Sequence, residues 1–91
     1  MVKDRRYTTV KNLIEGGYIK SFLDIFDTIP KSVVARDLGM NNIRFTKLMN
    51  NVDLFWVRDL YKLAFYLEVD GMVVLQLVHQ QYQNDRKDRK K

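Results

Sequence analysis

The chain of 91 residues contains no cysteine, which removes disulfide staples, thiolate zinc sites and a cysteine nucleophile together. Histidine is almost as scarce. His79 stands alone, with no second histidine and no carboxylate cluster near it, so neither a metal site nor a histidine-based catalytic pair is expected. Ser21 and Ser32 have no evident base partner, and the reading is of a protein that is not an enzyme. No apolar run approaches the roughly 20 residues that a bilayer-spanning helix needs. Residues 1–17 also lack the continuous apolar stretch of a secretory leader. These absences lead to the expectation of a soluble, cytoplasmic chain with no membrane partner and no small-molecule cofactor.

What is present is ordinary for one small globular domain: 46% hydrophobic and 30% charged residues. The net charge is +5, and its placement says more than its size. Residues 31–52 carry Lys31, Arg36, Arg44 and Lys47 against Asp37 alone. Residues 53–81 are acidic overall, and residues 82–91 are basic again. A small basic domain can meet nucleic acid or another polyanion, although charge alone points only weakly to one.

Apolar spacing divides the chain into helices. Thr8 or Thr9 can cap a first helix running to Glu15 with Val10, Leu13 and Ile14 on one face, and Gly16-Gly17 ends it. Ile19, Phe22, Leu23, Ile25 and Phe26 give an amphipathic helix ending near Asp27. Pro30, the only proline, suits the first turn of a helix over 31–38. Asn41 or Asn42 can cap the next helix, which runs to about Asn50 with Asn50-Asn51 as a left-handed end. Leu60, Leu63, Ala64 and Leu67 define a helix over 57–67, and Asp70 can cap a last one to about Gln81. Residues 1–7 are expected to be a flexible arm, 8–81 the folded domain, and 82–91 a disordered basic tail. Phe22, Phe26, Phe45 and Phe65 are assigned to the core by their spacing. Phe55 and Trp56 can seal the core or meet a partner subunit, and one of Tyr61 and Tyr66 is expected to be exposed.

The informative stretch is residues 31–50, in which two short helices flank a glycine-containing turn. A helix-turn-helix requires a small residue where its helices cross, here Ala35. Four positions later it requires a residue that tolerates positive φ, here Gly39, followed by a core plug, here Met40. Phe45 and Leu48 supply the inward positions of the second helix, and Val34 and Leu38 those of the first. This pattern, within residues 18–81, resembles the Cro and lambda-repressor-like family, also called the xenobiotic response element family.

The resemblance implies an all-α, lambda-repressor-like fold, a compact bundle of about five short helices containing the helix-turn-helix. It also implies double-stranded DNA binding, usually as a homodimer, by a small transcriptional regulator of repressor type acting in the cytoplasm at the nucleoid. By that resemblance the base-reading positions are Asn42, Ile43 and Lys47, with Thr46 beside them, and Lys31 opens the preceding helix as a phosphate contact. Asn41 and Arg44 complete the expected DNA-binding set. Asn42 can pair with an adenine edge or simply cap its helix, Lys47 can reach a guanine or a phosphate, and Arg44 can clamp a phosphate. Ile43 cannot donate a hydrogen bond and can at most touch a thymine methyl. Trp56 stands where the family has a Ser or Thr cap, so Asp53 is expected to cap the following helix instead. The rival reading is a protein-interaction adaptor or antitoxin-type partner on the same fold, with weak or no DNA binding, and RNA binding ranks third.

Overall fold

Five α-helices and two short 3-10 segments make up the regular structure of residues 3–89, which a computed structural model describes, and no strand occurs among them. The chain is therefore all-α. Met1 and Val2 of the expected arm, and Lys90 and Lys91 of the expected tail, lie outside the described residues.

Helix α1 spans Arg6–Glu15, two residues ahead of the earlier of its expected caps. Asp4 opens it by accepting from the Arg6 backbone N–H at 2.9 Å. Tyr7, assigned to the arm from the sequence, is fully buried. Its hydroxyl donates to Asp37 Oδ2 at 2.7 Å and its ring stacks on Tyr66 at 5.3 Å. The arm thus ends before Tyr7, because this ring extends the stripe of Val10 and Ile14 by one turn. Gly17, at φ +81°, closes the helix.

The second apolar segment is a 3-10 helix, Phe22–Asp27, not an α-helix. Residues three apart eclipse one another in that geometry, which puts Phe22 and Ile25 together on the buried side. Asp24 holds its start by accepting from the Lys20 and Ser21 backbone N–H groups, each at 3.2 Å.

Helix α2, Lys31–Asp37, follows Pro30, and α3 spans Asn42–Asn50. Between them Gly39 takes φ +76°, and the Met40 N–H returns to the Ala35 carbonyl at 2.8 Å. Ala35, at 1% exposure, allows that close approach, and Val34, Leu38, Met40, Phe45 and Leu48 are all buried around it. Asn51 is not left-handed as expected, with φ −142°, because a second 3-10 turn, Val52–Leu54, starts at once. Asp53 lies inside that turn and does not cap α4, Val57–Leu67, whose N-cap Trp56 provides no side-chain bond. The left-handed non-glycine residue is Glu68, at φ 57°, which ends α4 and pairs with Lys3. Helix α5 runs from Gly71 to Arg89, well past the expected end at Gln81, and Asp70 caps it through the Met72 N–H at 2.8 Å. The part of the expected disordered tail that is described is therefore helical.

The core behind α3 is a ring of phenylalanines. Phe22, Phe26, Phe45 and Phe55 meet edge to face in sequence around the ring, with centroids 5.2–5.7 Å apart. Each such pair adds about 0.5–1.5 kcal/mol beyond its buried area. Phe45 brings α3 into the ring, so the helix is anchored from behind by two other segments, the 3-10 helix of Phe22 and Phe26 and the connection at Phe55. Phe65 is not part of this core: it is 79% exposed, because it lies on the outer face of α4. Among the described residues, no helix is long and apolar enough to cross a membrane.

Candidate nucleic-acid interface

Helix α3 turns by about 100° per residue, and this decides where each side chain sits around it. Phe45 and Leu48 point inward, which leaves Ile43 and Lys47 at the centre of the outer face. Ile43 is 73% exposed, so its apolar surface is open to contact. Asn42 and Thr46 lie on the flank toward α2, and Arg44 lies on the flank toward α4.

The capping question between the two asparagines is resolved by one bond. Asn41 Oδ1 accepts from the Arg44 backbone N–H at 2.7 Å, so Asn41 caps α3 and its side-chain oxygen is engaged. Asn42, in the first turn, is exposed and spared that role. Its amide combines a donor and an acceptor, the combination that an adenine edge requires.

On the α2 flank, Lys31 Nζ donates to Thr46 Oγ1 at 2.9 Å. The bond ties the start of α2 to the middle of α3 and holds an ammonium beside the outer face. Lys47 is exposed and has no carboxylate within ion-pair distance among the described residues. Lys31, Asn42, Ile43, Thr46 and Lys47 therefore share one continuous surface, with Asn41 at its upper edge.

Arg44 departs from that group. Its guanidinium lies over the Trp56 ring, 5.6 Å from the centroid, and Arg58 lies over the same ring at 4.7 Å. These contacts belong to a cleft of about 450 Å³ between the α2–α3 turn and the first two turns of α4. Arg58 and Lys62 were not among the residues singled out from the sequence, and Trp56 was expected to seal the core or meet a partner subunit, not to gather cations. Arg58 and Lys62 are spaced i, i+4 on α4, which would have placed them on one face. The signal was hidden by summing charge over 53–81, where Asp53, Glu68 and Asp70 lie on other elements.

Tyr7 and Asp37 brace the far side of α2. Burial, reinforced by the bond to the Asp37 carboxylate, pushes the Tyr7 phenol far above its ordinary value of 10. The pair is structural, since both groups face away from α3's outer surface and into the α1–α4 contact. Compared with known proteins, the chain matches no family model, no curated protein and no solved structure.

Proposed function

We propose that the chain binds double-stranded DNA sequence-specifically, as a small helix-turn-helix regulator that acts by occupying its site, with α3 entering the major groove. The observation that carries this reading is the α2–Gly39–α3 unit. It presents Ile43 and Lys47 at the centre of the outer face and Asn42 on the flank toward α2, with Lys31 at that edge and Arg44 at the other. A groove reader needs base-contacting groups set between cations at the two margins, where the two phosphate strands run. Asn42 pairs with an adenine edge, Ile43 packs on a thymine methyl, and Lys47 reaches a guanine or a phosphate. Lys31 neutralises a phosphate and, through Thr46, fixes α3 against α2. Regulation would follow from blocking or assisting a neighbouring promoter. The protein works by binding and not by catalysis, in the cytoplasm at the nucleoid.

The assembly that fits this role is a homodimer. Phe65 and Tyr61 on α4, with Met72 at the start of α5, are exposed apolar groups that a second copy would cover. The same surface favours a second reading, in which the fold serves as an adaptor for another protein.

The deciding experiment is duplex binding to a selected site and to random sequence at several salt concentrations. Asn42→Ala should cost about 1–3 kcal/mol at the selected site and relax preference at one base pair. Lys31→Ala should weaken all duplexes alike and lower the salt slope by about one unit. If Asn42→Ala, Lys47→Ala and Lys31→Ala leave both affinities unchanged, the adaptor reading replaces this one.

A further inference from the structure

The cleft beside Trp56 is lined by three cationic side chains. Leu38, Gly39 and Met40 of the turn form one wall, and Trp56, Arg58, Asp59 and Lys62 of α4 form the other, with Arg44 reaching in from α3. Three cations thus face a single carboxylate, Asp59, which is 7% exposed. None of the three has a carboxylate within ion-pair distance among the described residues. Lys3, Arg6 and Arg36, by contrast, are each paired with an acid.

Their positions are held by the indole. Arg44 and Arg58 both lie over the Trp56 ring, with their Cζ atoms 5.6 and 4.7 Å from its centroid, so the ring draws both guanidinium groups to one place. Lys62 follows Arg58 one turn along α4, so its ammonium borders the same space. The first turn of α4 opens into the cleft with no side-chain cap, which adds the positive end of an 11-residue helix. Unpaired cations held this closely repel one another, and an anion between them relieves that repulsion.

We propose that this cleft is a phosphate site, in which Arg58 and Lys62 hold the oxyanion, Arg44 closes over it from α3, and Trp56 orients both guanidinium groups. The phosphate can come from a small phosphate ester free in solution or from the backbone of a duplex laid against α3. Only the second source rests on the DNA-binding reading. With either source, occupancy engages Arg44, and so bears on how α3 is presented.

Trp56 is the only tryptophan of the chain, so its fluorescence reports the cleft without ambiguity. Pyrophosphate is titrated into the protein with no DNA present, against sodium chloride at matched ionic strength. A random-sequence duplex is titrated separately. The same titrations are run on Arg58→Ala and Lys62→Ala, with circular dichroism to show that each remains folded. The expected result is a saturable change in Trp56 emission that chloride does not reproduce, weakened about tenfold or more in both variants, as the loss of charge-assisted bonds implies. Response to pyrophosphate identifies a free phosphate as a ligand. Response to the duplex alone, lost alike for all sequences in the variants, identifies the backbone. The proposal is overturned if neither titrant gives a saturable change, or if the folded variants respond as the parent does. If Asn42→Ala alters duplex preference while Arg58→Ala and Lys62→Ala change nothing, the phosphate site fails and DNA binding stands. If pyrophosphate binds and no duplex does, the site stands and the DNA reading fails.

Discussion

Individual residues carry much of the local geometry. Gly39 sits at φ +76°, and a Cβ built there would meet nothing within 4 Å. The cost of replacing it is therefore backbone strain alone. Gly39→Val should destabilise the fold by about 1–3 kcal/mol, measured by thermal or denaturant unfolding, and Gly39→Asn should cost less because Asn tolerates the left-handed region. Tyr7 permits a second test. Tyr7→Phe removes the bond to the Asp37 carboxylate and should cost about 1–2 kcal/mol near neutral pH. The folded-state phenol titrates above its ordinary value of 10, so its contribution is complete below pH 10 and falls as pH rises beyond it. Unfolding free energies measured across the alkaline range should fall more steeply for the parent than for the Phe variant. Equal slopes would mean that Tyr7 is not buried as described. The Gly39 turn and its surrounding core positions were legible in the sequence because each follows from a steric requirement at fixed spacing. Tyr7 was not read correctly, because a tyrosine among Arg5, Arg6 and Thr8 looks polar until its ring is counted as part of the Val10–Ile14 stripe.

At the scale of elements, periodicity placed all five α-helices, but it read the Phe22–Asp27 segment as an α-helix, missed the turn at Val52–Leu54 and ended α5 too early. The segment Phe22–Asp27 has spacing that an α-helix and a 3-10 helix both satisfy over so few residues, and the fold took the tighter form. Helix α5 was cut short in the sequence reading because nothing after Gln81 has an apolar face. The helix continues because extending an established helix requires no new nucleation. Pairs four residues apart support it: Gln80 with Asn84 at 3.1 Å, Gln81 with Asp85 at 2.9 Å, and Arg86 over the Tyr82 ring at 5.7 Å. Gln81 marks the boundary between dispensable and required helix. It is buried, and its Oε1 accepts from the Leu23 N–H at 3.2 Å, tying α5 to the first 3-10 segment. Removing residues 82–91 should therefore lower the helical signal in circular dichroism but leave a single cooperative melt. Truncation from Gln81 onward should lower Tm further, because the Leu23 N–H loses its acceptor in a partly buried site. Equal melting temperatures for the two truncations would show that the Gln81 tether contributes nothing.

For the whole molecule, charge and apolar surface are segregated along one face of α4. One i, i+4 row carries Arg58 and Lys62 beside Trp56, and the neighbouring row carries Tyr61 and Phe65, next to Met72 of α5. Tyr61 and Phe65 also line a hollow of about 310 Å³ with Ala64, Val69, Asp70 and Gly71. The site was only partly legible for the same reason. The α3 face is local in sequence, whereas the cleft and this aromatic surface combine elements far apart in the chain. Two copies meeting along the Tyr61–Phe65 row about a two-fold axis would set apolar groups against apolar groups and leave the Arg58–Lys62 row at the margin of the contact. Meeting along the Arg58–Lys62 row would set like charges against each other. Phe65→Ser should therefore abolish self-association while leaving the melt unchanged, since Phe65 is 79% exposed and contributes little to the monomer's core. Sedimentation equilibrium should give a dimer for the parent and a monomer for the variant. On DNA, the variant should lose affinity for a two-half-site duplex but keep its affinity for a single half-site, because the loss is in linkage and not in contact. A parent that remains monomeric at high concentration, or a Phe65→Ser variant that still dimerises, would remove this surface as the self-association face.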